Sequence, residues 1–579
     1  MLLTLHNPQT ARRYYEAGWW RAETMYMLLA QHARARPQAY ALRDSRHRLT
    51  WAQLLGWVDA LAADLHAAGL KRGQRVSVWL PNRVEATVVF LACSRNGYVC
   101  NPSLHQNYTV GEIVALMERI QTSALFAQAG YGADADKVNV FDAAKSLSAL
   151  KRVYAVDGGG FPAPAAAPDA SLLPPVDSDP DKIVYLAFTS GTTGIPKGVV
   201  RDNGGHMVAL QWSMKNLYGI EPGESWWAAS DIGWVVGHSY IVYAPLFHGC
   251  TTILYEGKPV GTPDAGAFWR VIAEHQCAAM FTAPTAFRAI KKEDPEGKLF
   301  SKYDLSKFHT LFLAGERADP DTIQWAERLL KKPVIDHWWQ TETGWCIVGN
   351  PVGLGQLPVK HGSPTVPMPG YDIRAVDDAC KEVPRGTMGS LVVKLPLPPS
   401  CLPTLWQQDG RMTESYLAEF PGYYKTADAG YIDKDGYVFV MGRTDDIINV
   451  AGHRLSTGGM EEVLSGHQDV AECAVLGIKD ELKGEVPCGF IVLKMGVNRP
   501  HAEIEQECVQ LVRDKIGPVA AFKLAITVQR LPKTRSGKIL RGTMKKIADG
   551  ETWTMPATIE DPKVLDEIGG ALKGKGVGG

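Results

Sequence analysis

Hydrophobic positions in the first hundred residues switch between two periods. Tyr40-Ala41-Leu42-Arg43-Asp44 and Arg48-Leu49-Thr50-Trp51, separated by Ser45-Arg46-His47, have the turn-bounded pattern of a β-hairpin. Between 52 and 69, Leu54, Leu55, Val58, Leu61 and Leu65 fall on one stripe, which predicts an amphipathic helix. Arg75-Val76-Ser77-Val78-Trp79-Leu80 has the pattern of a buried strand, broken at Pro81. Asn82 stands where it can cap a helix running to about Asn96, and Gly97 stops that helix. Strand and helix in alternation predict a largely parallel sheet with helices on its faces.

Phe161 to Val176 is rich in Pro and Ala, lacks any period, and is expected to be a surface linker. Ile183-Val184-Tyr185-Leu186-Ala187-Phe188 is a strand pattern that runs into a Gly- and Thr-rich turn. Near 445 the texture changes. Tyr437 to Arg443 is a strand and turn, and short strands and amphipathic helices follow. One helix is expected over 502–516, with Ile504, Cys508, Leu511, Val512 and Ile516 on one face and Gly517-Pro518 as its stop. The expected fold class is therefore α/β. A large domain of mixed and parallel sheets spans 1–444, and a small α+β domain spans 445–579. The glycines and lysines after Ala571 are expected to be disordered.

Composition excludes several function classes. The 579 residues are 45% hydrophobic and 21% charged, with a formal net charge of −1. No global basic field draws nucleic acid or anionic membrane. Ten cysteines are scattered without CxxC spacing, so a zinc or thioredoxin-type site has no support and a reducing compartment is expected. The N-terminus lacks a basic region followed by an apolar core, and no run approaches the roughly 20 apolar residues of a membrane span. Cytoplasm is the expected location.

Chemistry concentrates in Thr189-Ser190-Gly191-Thr192-Thr193-Gly194-Ile195-Pro196-Lys197-Gly198. The glycines let backbone N–H groups crowd an anion, the hydroxyls add donors, and Lys197 adds a point charge suited to phosphate. The P-loop alternative is disfavoured, because Lys197 lies between Pro196 and Gly198 with no Ser or Thr after it. Elsewhere the residues alone leave choices open. Glu342, between Thr341 and Thr343, is either a solvated acid or a magnesium ligand. Asp428, a carboxylate at a turn, has by itself the pattern of an Asx cap. Lys538, in a Gly-Ser turn, is either a surface lysine or a cation for developing negative charge.

The same loop, followed in order by Ala314-Gly315-Glu316, Trp338-Trp339-Gln340-Thr341-Glu342-Thr343-Gly344, Lys425-Thr426-Ala427-Asp428, Gly442-Arg443-Thr444-Asp445-Asp446 and Lys533-Thr534-Arg535-Ser536-Gly537-Lys538, resembles the adenylate-forming superfamily over roughly 40 to 550. That superfamily includes acyl-CoA synthetases, peptide-synthetase adenylation domains and luciferases. The resemblance implies ATP, Mg²⁺ and coenzyme A as cofactors, a small carboxylic acid as substrate, and a mobile C-terminal domain. It implies that Ser190, Gly191, Thr192, Thr193, Gly194 and Lys197 hold phosphate, and that Glu342 with Thr189 holds the metal. Gly315, Glu316, Asp336, Trp338 and Gln340 resemble the adenine-binding positions, Thr341 belongs to the cofactor-binding set, and Asp428 and Arg443 resemble the ribose partners. Lys538 resembles the lysine that bridges acid and α-phosphate, Arg454 an arginine on the phosphate, and Asp445 the hinge. Gly452 resembles the glycine lining the pantetheine tunnel, and Arg513 an arginine for the CoA 3′-phosphate. Acid plus MgATP would give acyl-AMP, whose carbonyl the CoA thiol then attacks after Lys538 swings out. An enzyme that acetylates Lys538, and one that reverses it, are the expected regulatory partners.

Ser230 to Tyr240 and Asp336-His337-Trp338-Trp339 resemble the acetyl- and propionyl-CoA synthetases. In that likeness Trp339 caps the acyl tunnel, and Trp234, Val235, Val236 and Ala314 belong to the pocket. Ala314 stands where acetate enzymes carry Val, and His337 and Trp345 look like the propionate type, so an extra carbon is expected to fit. Residues 10–130 look more like medium-chain, alicyclic or aromatic acid–CoA ligases. A module that loads a carrier protein is the other alternative.

Overall fold

The computed structural model describes residues 8–158, 161–162, 170–189, 196–316, 318–451, 453–534, 538–556 and 559–577. The chain divides into two compact units, one of residues 1–372 with 393–424 and one of 373–392 with 425–579.

The first unit holds a six-stranded, a seven-stranded and a small three-stranded sheet. The hairpin forms as its pattern predicts: Tyr40–Arg43 and Arg48–Thr50 pair antiparallel, with Leu42 opposite Leu49. Thr50 then opens the helix Trp51–Ala67, its hydroxyl on the Gln53 N–H and the Gln53 side chain on its own N–H. Leu54, Val58, Leu61 and Leu65 are wholly buried along the predicted stripe. Arg75–Trp79 lies inside a six-stranded sheet of spatial order Arg152–Ala155, Thr122–Ala127, Arg75–Trp79, Val99–Asn101, Ile183–Thr189, Lys197–Asp202. All its pairs are parallel except the last, which is antiparallel. A seven-stranded sheet runs Val334–Asp336, Thr310–Leu313, Cys277–Thr282, Ser225–Ala228, Thr251–Ile253 and then the hairpin. Trp227 and Trp269 pack without exposure on it, among Phe268, Phe287 and Leu311.

One expectation fails locally. The helix Val84–Asn96 has Arg83 at its N-cap, with no side-chain bond there. Asn82 instead donates its amide to the Ser230 and Tyr255 carbonyls at 2.7 and 2.9 Å, and accepts from the Ile232 N–H at 2.7 Å. It ties down the segment leading to the candidate pocket, a tertiary demand that local capping rules do not see. Gly97 does stop the helix, in the left-handed region at φ +72°.

The second unit holds a four-stranded sheet, Ile373–Val376, Gly389–Lys394, Tyr423–Ile432 and Val438–Arg443, most of which lies in it. Its five-stranded sheet pairs Gly484–Leu493 with Val470–Asp480, Ile447–Val450 and Leu524–Thr527. The helix His501–Ile516 buries Ile504, Cys508 and Val512 completely, as its pattern predicts. The tail differs from expectation: Lys563–Gly574 is a helix with Leu572 wholly buried, and Lys575 reaches Glu505 at 2.5 Å. Val564, Leu565, Ile568 and Leu572 make an apolar stripe that outweighs the helix-poor glycines. No described helix is long and apolar enough to cross a membrane.

Candidate active site

The Gly- and Thr-rich turn joins two adjacent antiparallel strands, with Thr189 directly opposite Lys197. Ser190, Gly191, Thr192, Thr193 and Gly194 lie outside the described residues. Pro196, at the turn's exit, has its carbonyl held by Arg119 Nη1 at 2.6 Å. Lys197 Nζ stands 4.0 Å from Glu342 Oε1, both side chains being largely shielded from solvent. The structure thus joins two residues 145 apart in number (342 − 197) that the sequence assigned separately to phosphate and metal. A cation of this kind is suited to phosphate oxygens, and a carboxylate of this kind to a divalent ion. Carboxylate and hydroxyl oxygens, as Glu342 and Thr189 offer, are the hard donors that Mg²⁺ prefers.

Arg201 went unnoticed in the sequence. It lies on the strand that Lys197 begins and is wholly buried. Its guanidinium donates to the carbonyls of Thr341, Ser400 and, at 3.3 Å, Glu342. Gly344 serves this contact: a Cβ there would come within 2.7 Å of the guanidinium. The recipients lie 140 and 199 residues along the chain, so no local signal marks this arginine. Its effect is to lock the loop bearing Glu342 to the strand bearing Lys197.

Asp336 ends a strand opposite Leu313, which places Ala314, Gly315 and Glu316 beside it. Ala314 is buried, and Gly315 takes φ +104°, a conformation side chains disfavour. Glu316 Oε1 accepts from the Thr285 N–H at 2.9 Å and from Arg288 Nη1 at 3.0 Å. His337 is buried, its Nδ1 2.7 Å from the Leu313 carbonyl and its Nε2 2.9 Å from the Tyr218 hydroxyl. A carbonyl only accepts, so Nδ1 carries the proton and Nε2 accepts from the phenol. Burial pushes this imidazole down to about 4, leaving it neutral. It anchors the two-residue strand Trp338–Trp339, which pairs with Cys346–Gly349. Gln340 Oε1 accepts from Tyr424 at 3.1 Å.

Trp339 meets Tyr240 edge-on at 5.6 Å and Phe281 at 6.1 Å. The Ser230–Tyr240 segment and the tryptophan block, recognised separately in the sequence, are thereby brought together. Trp234 stacks on His105 at 3.9 Å and 20°. Val235 and Val236 are half-buried and lead into the π-helical turn Gly237–Tyr243, a geometry common at functional sites.

In the second unit, Asp428 is buried and stands opposite Arg443 across an antiparallel pair, with Nη1 3.4 Å from Oδ1. Asp445 is exposed in the turn Thr444–Asp446. Lys538 is exposed. Its N–H donates to Thr534 Oγ1 at 3.1 Å, and its carbonyl accepts from the Thr534 N–H at 2.7 Å. Gly452 and the side chain of Arg454 lie outside the described residues, although the Arg454 backbone pairs opposite Asn449. Arg513 is on the exposed face of its helix.

Residues 29–398 match the family described as AMP-binding enzyme, and residues 459–538 match the AMP-binding enzyme C-terminal domain. The chain is 42% identical to the mitochondrial acyl-CoA synthetase short-chain family member 3 of Homo sapiens, over 92% of this chain and 80% of that one. It is 39% identical to the propionate–CoA ligase of Escherichia coli strain K12, over 98% and 94% of the two chains. The fold is also that of the acetoacetyl-CoA synthetase from Streptomyces lividans, with TM-score 0.83 at 22% identity over 95% of this chain and 86% of that one.

Proposed function

The chain belongs to the AMP-binding enzyme family, as an AMP-forming acid–CoA ligase of the adenylate-forming superfamily, and on that premise we propose that it activates a short-chain acid of about propionate size. The observation that carries the acid's size is Trp339, wedged edge-on against Tyr240 and close to Phe281. A ring backed by two other rings cannot swing towards them, so it limits the length of an acyl chain directed at it. Ala314, two methyls smaller than valine, favours three carbons over two. One methylene is worth only ~1–3 kcal/mol, so the preference is moderate. The two relatives are named for short-chain and propionate substrates, which supports the same choice.

In this reading Lys197 and the Gly/Thr turn hold the triphosphate, and Glu342 with Thr189 holds the metal. Bound there, Mg²⁺ neutralises charge on the phosphate oxygens. Gly315, Glu316, Asp336, Trp338 and Gln340 receive the adenine, Thr341 contributes to cofactor binding, and Asp428 with Arg443 receives the ribose. Lys538 bridges carboxylate and α-phosphate, where two anions must meet, with Arg454 on the phosphate. Rotation at Asp445, between domains 1–444 and 445–579, withdraws Lys538 and brings Gly452 and Arg513 to coenzyme A. Ten free cysteines support a reducing compartment, which we take to be the cytoplasm. The exposure of Lys538 supports its control by reversible acetylation, and an acetylated protein that retained full activity would refute this.

Comparing kcat/KM across two- to eight-carbon and aromatic acids tests the assignment. Propionate is expected to lead, with acetate and butyrate within about one order of magnitude of it. A benzoate or octanoate optimum would overturn the pocket reading. Pyrophosphate release with thioester formation on free CoA separates this enzyme from a carrier-protein loading module.

A further inference from the structure

The phenol of Tyr416 stands against the candidate metal ligand, and none of the chemistry above uses it. Tyr416 ends the helix Asp409–Tyr416, which buries Met412 and Tyr416 one turn apart. The residue is only 6% exposed. Its hydroxyl donates to Glu342 Oε1 at 2.5 Å, and the Lys197 ammonium lies 4.5 Å over its ring. Tyr424, itself wholly buried, stacks on that ring at 5.5 Å and 12°. The Tyr424 hydroxyl goes to Gln340. Two stacked phenols thus grip the Gln340–Glu342 loop by its first and last side chains, while Arg201 holds its carbonyls.

The terminal torsion of a glutamate is soft, and an unsupported carboxylate presents its oxygens over a broad range of directions. A hydrogen bond to one oxygen removes that freedom and offers the other in a defined direction. Partners of this kind orient the groups that bind metals. The aromatic face gives the Lys197 ammonium a favourable seat while it waits beside the same carboxylate. We infer that Tyr416 is a positioning residue for the metal–phosphate centre: its hydroxyl sets the Glu342 carboxylate for the ion, and its ring shelves Lys197 for the phosphates. The inference rests on the proposed reading of Glu342 as the metal ligand.

Calorimetric titration of the full chain with AMP and with MgATP tests it. AMP reports the base and ribose contacts, and MgATP adds the metal–phosphate centre. Tyr416→Phe keeps the ring for Lys197 and Tyr424 and removes only the hydroxyl. It is expected to raise the Kd of MgATP about tenfold while that of AMP stays within about twofold. Tyr424→Phe, which loses a phenol from the same stack but on the adenine side, is expected to move both ligands together. Glu342→Gln calibrates the metal contribution. If Glu342→Gln shifts the MgATP-to-AMP ratio and Tyr416→Phe does not, the positioning role is overturned and the metal ligand stands. A Glu342→Gln protein with an unchanged ratio overturns the metal reading, and the role of Tyr416 with it.

Discussion

Single side chains carry the most direct consequences. Lys538→Ala is expected to abolish acid-dependent ATP–pyrophosphate exchange and to spare thioester formation from supplied acyl-AMP, because its charge is needed only where carboxylate meets phosphate. Loss of both half-reactions, or of neither, would contradict the assignment. Trp339→Gly removes the ring beside Tyr240 and Phe281 and should move the optimum from about three carbons to longer acids, read as kcat/KM over the acid series. His337 makes a pH prediction. Its imidazole is held down to about 4, against about 6.5 in an unfolded chain. Between those values the unfolded chain binds the extra proton, so stability from this group is complete above about pH 6.5 and drains as pH falls towards 4. The loss is on the order of 3 kcal/mol at the acid end. His238, also buried and held down to about 3, acts in the same direction. The Tm should therefore fall between pH 7 and 4.5, and His337→Gln should flatten that slope.

At the scale of elements, the question is how each strand or helix delivers its side chain. The helix Val84–Asn96 ends on Gly97 at φ +72°, where a Cβ would come within 1.9 Å of Asp177 Oδ2. Gly97→Ala should cost about 1–2 kcal/mol from the left-handed backbone alone, and more from displacing Asp177, seen as a lower Tm with little change in KM. Arg201→Met should behave differently. It strips donors from the Thr341, Ser400 and Glu342 carbonyls, at about 1–3 kcal/mol for each that stays dry. Stability and MgATP affinity should fall together, since the freed loop is the one that bears Glu342. Element patterns were legible where one face meets a core: the Trp51–Ala67 and His501–Ile516 helices appear where 3.6-residue periodicity puts them. They were not legible where a partner is distant. Asn82 resembles a helix cap until Ser230, Ile232 and Tyr255 are seen around it. The glycines of the tail suggested disorder, whereas four apolar residues dock a helix.

For the whole molecule, the proposed mechanism requires the C-terminal domain to present first Lys538 and then Gly452. Asp445→Pro fixes φ near −65° at the proposed hinge. We expect ATP–pyrophosphate exchange to survive, while the complete reaction with CoA falls by at least about a hundredfold, because the two faces can no longer alternate. Equal loss in both assays would place the rotation elsewhere.

Periodicity along the sequence determined the α/β class, and the turn after Phe188 announced phosphate, because glycine at a tight turn, hydroxyls around an anion and a cation for phosphate are demands of local backbone and charge; the rest of the candidate residues followed from the family resemblance. Tertiary structure decided what holds those residues in place. Lys197 beside Glu342, Arg201 across three carbonyls, Tyr416 on the carboxylate and Tyr240 behind Trp339 are meetings of segments far apart in the chain. No periodicity records such meetings, since they depend on how sheets and helices stack and not on what any stretch of residues prefers by itself.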